Sequence, residues 1–253
     1  MSAAGVQILL VNPNTTSSMT ETIAAAARSV AGASTQIVAV TSSMGPASIE
    51  GYYDEALAVP GLLMEIAAGE RSGAQAAIIA CFDDTGLDAA RAMAKIPVIG
   101  ICEAALAVAS FIAQRFTVVT TTDRSRVPVE ALVQRYGMGG RARVRAADIP
   151  VLALEDPASG AVQKLRNEIS RAIAEERAEA IVLGCAGMAD LARQLRSEFE
   201  LPVIDGVGAA VKQAEALIAL GLSTSKRGAY ASPSAKRYLG ALKTFAPEVV
   251  AGE

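Results

Sequence analysis

A chain of 253 residues, 52% hydrophobic and 19% charged, is long enough to bury a sizeable core as one large α/β unit or two small ones. Its formal net charge of −3 and the lack of any basic run argue against a nucleic-acid partner, which needs clustered Lys and Arg facing the phosphates. No apolar run approaches the length of a membrane helix, and the opening MSAAGVQILLVNPN has no basic leader and too short an apolar stretch for a signal peptide. The expectation is a cytoplasmic protein, without membrane contact, that acts on a small molecule.

In chain order, short apolar runs alternate with longer Ala-rich amphipathic stretches, the pattern of buried parallel strands joined by crossover helices. Strands are predicted near 6–12, 35–41, 75–81, 97–101, 116–121, 142–147, 179–184 and 202–204, with helices filling most of the intervals. Ser18 and Glu21 suit a capping box near the start of the first helix, with the preceding NPNTTS loop as an earlier place for the cap, and Pro60 is expected to kink or restart the second. No stretch is long, polar and biased enough for a disordered linker. The expected organisation is an N-terminal α/β half over 1–110, a C-terminal half over 111–222, and a helical segment over 223–253 that packs back on the N-terminal half.

The chain contains no histidine, which rules out Ser-His-Asp and Cys-His catalysis and any His-ligated metal site. Acid–base work falls to Cys, Asp, Glu, Lys or Tyr. Cys81, Cys102 and Cys185 are far apart and form no CxxC pair, so no metal site is expected and the cysteines read as free thiols.

An internal repeat organises the rest. AAIIACFDD at 76–84 followed by IPVIGICEAA at 96–105 parallels EAIVLGCAGM at 179–188 followed by LPVIDGVGAA at 201–210. Cys81 precedes Pro97 by 16 residues and Cys185 precedes Pro202 by 17, so the two units run nearly in register. Upstream, ILLVNPNTT at 8–16 matches FTVVTTTDR at 116–124 as a buried strand entering a hydroxyl- and amide-rich loop. The fold class that follows is α/β, two pseudo-symmetric doubly wound parallel sheets with an active site in the cleft between them.

In such sheets ligands sit beyond the carboxyl ends of the strands, where both Cys81 and Cys185 fall. Backbone N–H groups at the following helix start stabilise a thiolate, so each thiol is expected to have its pKa lowered toward neutrality, where a general base works best. One sulfur on each face of a ligand is the geometry for inverting a carbon centre: a thiolate removes a proton, donors hold the planar anion, and the opposite thiol returns a proton. The competing reading for each cysteine is a small buried hydrophobe; for Cys102, which has no counterpart in the second half, that reading is preferred.

At VNPNTT (11–16), GPASIEGYYDEA (45–56), ACFDDTGLDAAR (80–91), IGICEAA (99–105), RFTVVTTTDRS (115–125) and LGCAGM (183–188), the sequence resembles the Asp/Glu/hydantoin racemase superfamily, and within it the hydantoin and allantoin racemase branch. The resemblance covers about the whole chain. It implies paired α/β halves with the active site between them, a two-cysteine racemisation at Cys81 and Cys185, no cofactor, a hydantoin-type ring as substrate and a homo-oligomer. One motif departs from the family pattern, which has Gly, Asp and Pro after Cys-Phe, where this chain has Asp83, Asp84 and Thr85. The added carboxylate is expected to raise the Cys81 pKa or reshape the pocket.

Supporting roles are expected for Asn12, Asn14, Thr120 and Thr121 as polar groups along the edges of the ring, although Asn-Pro-Asn and Thr clusters also end strands for purely local reasons. Ala186, Gly187 and Met188 next to Cys185, and Asp84 and Thr85 next to Cys81, are expected to offer backbone N–H groups. Ser43 and the loop 45–51 are placed over the cleft. An amino-acid racemase or a maleate isomerase-like enzyme of the same superfamily, in which one cysteine is a nucleophile, and a two-lobed non-catalytic binding protein are the alternatives. The low aromatic content, 4% with no tryptophan, leans the substrate toward a small polar ring such as allantoin.

Overall fold

A computed structural model describes residues 5–247. Strands and α-helices alternate: β1 (Val6–Asn12), α1 (Ser17–Val30), β2 (Thr35–Thr41), α2 (Tyr52–Arg71), β3 (Ala76–Ile79), α3 (Leu87–Met93), β4 (Val98–Gly100), α4 (Ile101–Ile112), β5 (Phe116–Thr120), α5 (Asp123–Arg135), β6 (Ala142–Ala146), α6 (Ala161–Glu176), β7 (Ala180–Gly184), α7 (Ala192–Phe199), β8 (Val203–Asp205) and α8 (Gly206–Ala219). They form two four-stranded parallel sheets of identical order, β2-β1-β3-β4 and β6-β5-β7-β8. This is the α/β architecture with two matched halves that the repeat predicts, and each strand lies within two residues of its expected place.

The central strands β3, β5 and β7 are buried at every residue, as parallel strands covered on both faces must be. The outermost strands β2 and β6 are partly exposed. Register then aligns the strand ends: Asn12 pairs with Thr41 across β1 and β2, and Thr120 with Gly184 across β5 and β7. Cys81 follows β3 and Cys185 follows β7, so both thiols sit at the carboxyl edge of a sheet.

The two halves share one core. Ile8, Leu10 and Ile78 of the first sheet join Phe116, Val118 and Val182 of the second in a single cluster through Leu106 of α4 and Val207 and Val211 of α8. α4 packs on α8 and also on β7 and β8 of the opposite sheet, while α8 packs on β1, β3 and β4. The close approach depends on Gly206, where an added Cβ would lie 2.5 Å from the Ile101 carbonyl oxygen. Separate apolar clusters fill the outer faces, around Leu62 and Ile66 in the first half and Leu165 and Ile169 in the second.

α1 begins after Thr16, the earlier of the two places the sequence allows, and not at Ser18; the Ser18 hydroxyl donates to Glu155, and the side chain of Asn14 accepts the Thr16 N–H. α2 passes through Pro60 without restarting, since proline costs one ladder donor but the flanking turns are held by buried Ala58, Leu62 and Ile66.

Beyond α8 the described chain forms only short 3-10 turns, at Gly228–Tyr230 and Gly240–Phe245. Its bonds fall on the first half: the Thr224 N–H and hydroxyl donate to the carbonyls of Lys95 and Ile96, the Lys226 ammonium to those of Arg91 and Ala92, and the Tyr230 hydroxyl to Asp88. Residues 1–4 and 248–253, the ends of the segments expected over 1–110 and 223–253, lie outside the described residues. No helix among the described residues is long and apolar enough to cross a membrane.

Candidate active site

The carboxyl edges of the two sheets meet at one cleft, lined by residues of both halves. The first half contributes Asn14, Cys81, Phe82 and Asp83; the second contributes Thr120, Thr121, Ser125 and Cys185. Met19, Ile49 and Val151 supply apolar wall. Gly184 permits the tight packing at its floor, since a Cβ there would lie 2.8 Å from Thr120 Cα.

Both thiols therefore belong to one site, one from each half. Their acidity is not what the sequence predicts. Burial pushes the Cys185 thiol up to about 11, against a lowering by the Gly187 N–H. Cys81 is raised as well, first by burial and then by the charge of Asp83, against the Thr85 hydroxyl and the Asp83 N–H. The reason is the number of donors: one N–H per sulfur does not offset desolvation between apolar walls. The expectation that the extra carboxylate raises Cys81 agrees with this direction.

Asp83 is 8% exposed, and burial with the charges of Glu55 and Asp84 lifts its carboxyl to about 7. Thr85 Oγ1 is wholly buried and has no hydrogen-bond partner among the described residues, which leaves it free to favour a Cys81 thiolate.

The other candidate residues divide between cleft and support. Asn14, Thr120, Thr121 and Ala186 line the cleft; Thr120 also spends its hydroxyl on the Gly184 carbonyl. Asn12 is fully buried beneath them, with its amide donating to Asn14, Thr20 and the Thr16 carbonyl, so it shapes the loop. The Asp84 carboxyl points away from the sulfurs and accepts the N–H groups of Cys102 and Glu103 at the start of α4 and the Tyr136 hydroxyl. Its backbone is left-handed, φ 47°, a conformation Asp tolerates better than most residues. Gly187 offers its N–H to Cys185, whereas Met188 is buried in the second outer core. Ser43 is exposed, and the loop reaches the cleft through Ile49 instead. Cys102 is completely buried in the shared core.

Sequence reasoning missed Met19, Ile49, Ser125 and Val151 as lining residues and Tyr136 as the partner of Asp84. Ile49 is an apolar residue inside a polar Gly- and Pro-bearing loop, a signal that was available. Tyr136 lies 52 positions from Asp84, and nothing local announces the pair. Among the described residues no three Cys, Asp or Glu side chains converge as a set of metal ligands.

Comparison with known proteins follows the same geometry. A family profile described as Asp/Glu/Hydantoin racemase matches residues 8–214. The chain is 52% identical over 236 residues to a hydantoin racemase of Rhizobium meliloti, covering 93% of this chain and 98% of the relative. It is 50% identical over 242 residues to the hydantoin racemase of Pseudomonas sp. (strain NS671), covering 95% and 97%. The solved structure of an allantoin racemase from Klebsiella pneumoniae superposes with a TM-score of 0.93 at 48% identity, covering 96% of this chain and all of that one. Matched sheets, a thiol at the same edge of each, and similarity along nearly the full length have one common explanation: this chain belongs to the Asp/Glu/hydantoin racemase family.

Proposed function

We propose that the chain is a cofactor-independent racemase that inverts the asymmetric carbon of allantoin or a 5-substituted hydantoin, with Cys81 and Cys185 exchanging the roles of acid and base. The observation that carries this reading is that both thiols, each ending an equivalent strand, line one cleft. The reactive form carries one thiolate and one thiol. The thiolate takes the proton from the ring carbon, leaving an enolate-type anion spread onto the adjacent carbonyl, and the opposite thiol donates its proton to the other face. The thiolate has then changed sides and the roles are reversed for the mirror-image substrate. A thiolate raised by burial is a strong base once formed, at the cost of a smaller thiolate fraction at neutral pH. The N–H groups of Asp83 and Gly187, which face the sulfurs, are the donors nearest the developing charge.

The substrate is a small molecule, and the reading adds a cytoplasmic setting that keeps the thiols reduced and a homo-oligomer, for which the exposed Phe111 and Ile112 at the end of α4 offer apolar surface. The test is to follow racemisation and proton–deuterium exchange at the ring carbon of each enantiomer in D₂O, with the wild type, Cys81→Ser and Cys185→Ser. Racemisation lost in both variants, with exchange surviving for opposite enantiomers, is expected. Undiminished racemisation in either variant would falsify the two-thiol mechanism.

A further inference from the structure

Asp83 lines the cleft beside both thiols and is more than nine-tenths buried, yet no donor among the described residues reaches its carboxyl. Its charged neighbours, Glu55 and Asp84, carry the same sign. Among the described residues Thr85 Oγ1 is the one fully enclosed polar side-chain atom without a partner, so the Asp83 carboxyl opens into the cleft, where it can accept hydrogen bonds from a ligand. The two residues after it do not line the cleft: Asp84 is fully engaged at α4, and the Thr85 hydroxyl is wholly enclosed.

The remaining lining is uncharged, with Asn14, Thr121 and Ser125 on the polar side and Ile49 and Val151 on the apolar side. A carboxyl in that setting binds N–H groups, and a pair of parallel N–H groups best of all. On the racemase reading, the ring carbon undergoing inversion lies between Cys81 and Cys185, so Asp83, two residues beyond Cys81, falls beside the ring substituent. We infer that Asp83 is a specificity-determining residue that receives the N–H groups of a ureido substituent on the ring, and so selects a ureidohydantoin over a hydantoin with a hydrocarbon arm. An isobutyl arm has the shape of a ureido group and the same number of heavy atoms, but would leave the carboxyl buried against hydrocarbon. Sites built around a buried polar group reject substrates lacking its partner far more strongly than apolar pockets reject an added methylene.

The inference rests on the racemase reading, and its test separates the two. The ratio of kcat/KM for allantoin to that for 5-isobutylhydantoin is measured for the wild type, Asp83→Ala and the near-isosteric Asp83→Asn, with both compounds also titrated calorimetrically. A wild-type ratio in favour of allantoin that falls by roughly ten- to a hundredfold in Asp83→Ala, and by less in Asp83→Asn, is expected, with most of the change in KM. A ratio that stays within about twofold of the wild type in both variants overturns the assignment, because a carboxyl acting only on thiol acidity or on folding affects the two substrates alike. If the wild type racemises neither compound, the racemase reading fails by itself. Calorimetry then decides the donor preference: selective loss of allantoin binding in the variants supports it, and equal or absent binding of the two compounds overturns it. Should Asp83→Ala not fold, Asp83→Asn carries both measurements.

Discussion

The turns that follow β3 and β7 occupy the same place in two sheets of the same order, and they treat their thiols differently. After Cys81 the chain places two buried carboxyls, Asp83 and Asp84. After Cys185 it turns into a short 3-10 helix, Ala186–Leu191, whose only acid, Asp190, is exposed. Helix capping differs in parallel. α8 is capped by its own Asp205, which accepts the Gly208 N–H. α4 has Gly100 at the equivalent position, and its N–H groups are met by Asp84 reaching over from the Cys81 turn. Topology thus gives both thiols their position, while the turn residues set their acidity and how firmly each is held.

The largest effect should come from the thiols themselves. Cys81→Ala and Cys185→Ala are each expected to reduce racemisation by about 10² to 10⁴, the range for loss of a general acid or base, with thermal unfolding little changed; a variant retaining most of its activity breaks the equivalence of the halves. Next is alkylation by iodoacetamide followed by peptide mapping. Both thiols are raised by burial and by the charge of Asp83, so Asp83→Asn is expected to speed the alkylation of each, because more of it is then thiolate at a given pH. Rates unchanged in Asp83→Asn would remove this carboxyl from the control of thiol acidity.

Stability should report the same carboxyl. Burial lifts the Asp83 carboxyl from its ordinary 3.8 to about 7 in the folded protein, so the native state holds its proton more tightly than the unfolded chain does. Its contribution is most favourable below about pH 4 and is lost as pH rises toward 7. Asp83→Asn is therefore expected to stabilise the protein relative to wild type by about 1–3 kcal/mol more at pH 8 than at pH 4.5, measured by urea unfolding; a pH-independent difference removes this account. The smallest effects concern the caps. Asp205→Ala should cost about 1 kcal/mol. Asp84→Ala should cost more, because it also strands the Tyr136 hydroxyl, and the excess should shrink in a Tyr136→Phe background.

Most of the fold was legible because its signals are local. Runs of three to seven residues marked the strands, and the spacing of Cys81 and Cys185 from their Pro-Val-Ile strands revealed the repeat. The two thiols and the polar groups of Asn14, Thr120 and Thr121 followed from the rule that ligands sit at the carboxyl ends of parallel strands. Thiol acidity was not legible, because it depends on desolvation by Met19, Ile49 and Val151, brought together from three distant segments. The role of Asn12 was hidden for the opposite reason: an amide beside a cleft and an amide bracing a turn look alike in sequence. The persistence of α2 through Pro60 reflects burial around the proline, which outweighs its local preference.

The shared helix pair limits how far this molecule can be taken apart. Each half lends its last helix to the other's sheet, so the duplication visible in the sequence does not describe two autonomous modules. A chain cut between α4 and β5 would leave the inner faces of both sheets uncovered, with Leu106 and Val211 facing water. Neither fragment should be soluble alone, whereas the two produced together should reassemble by complementation.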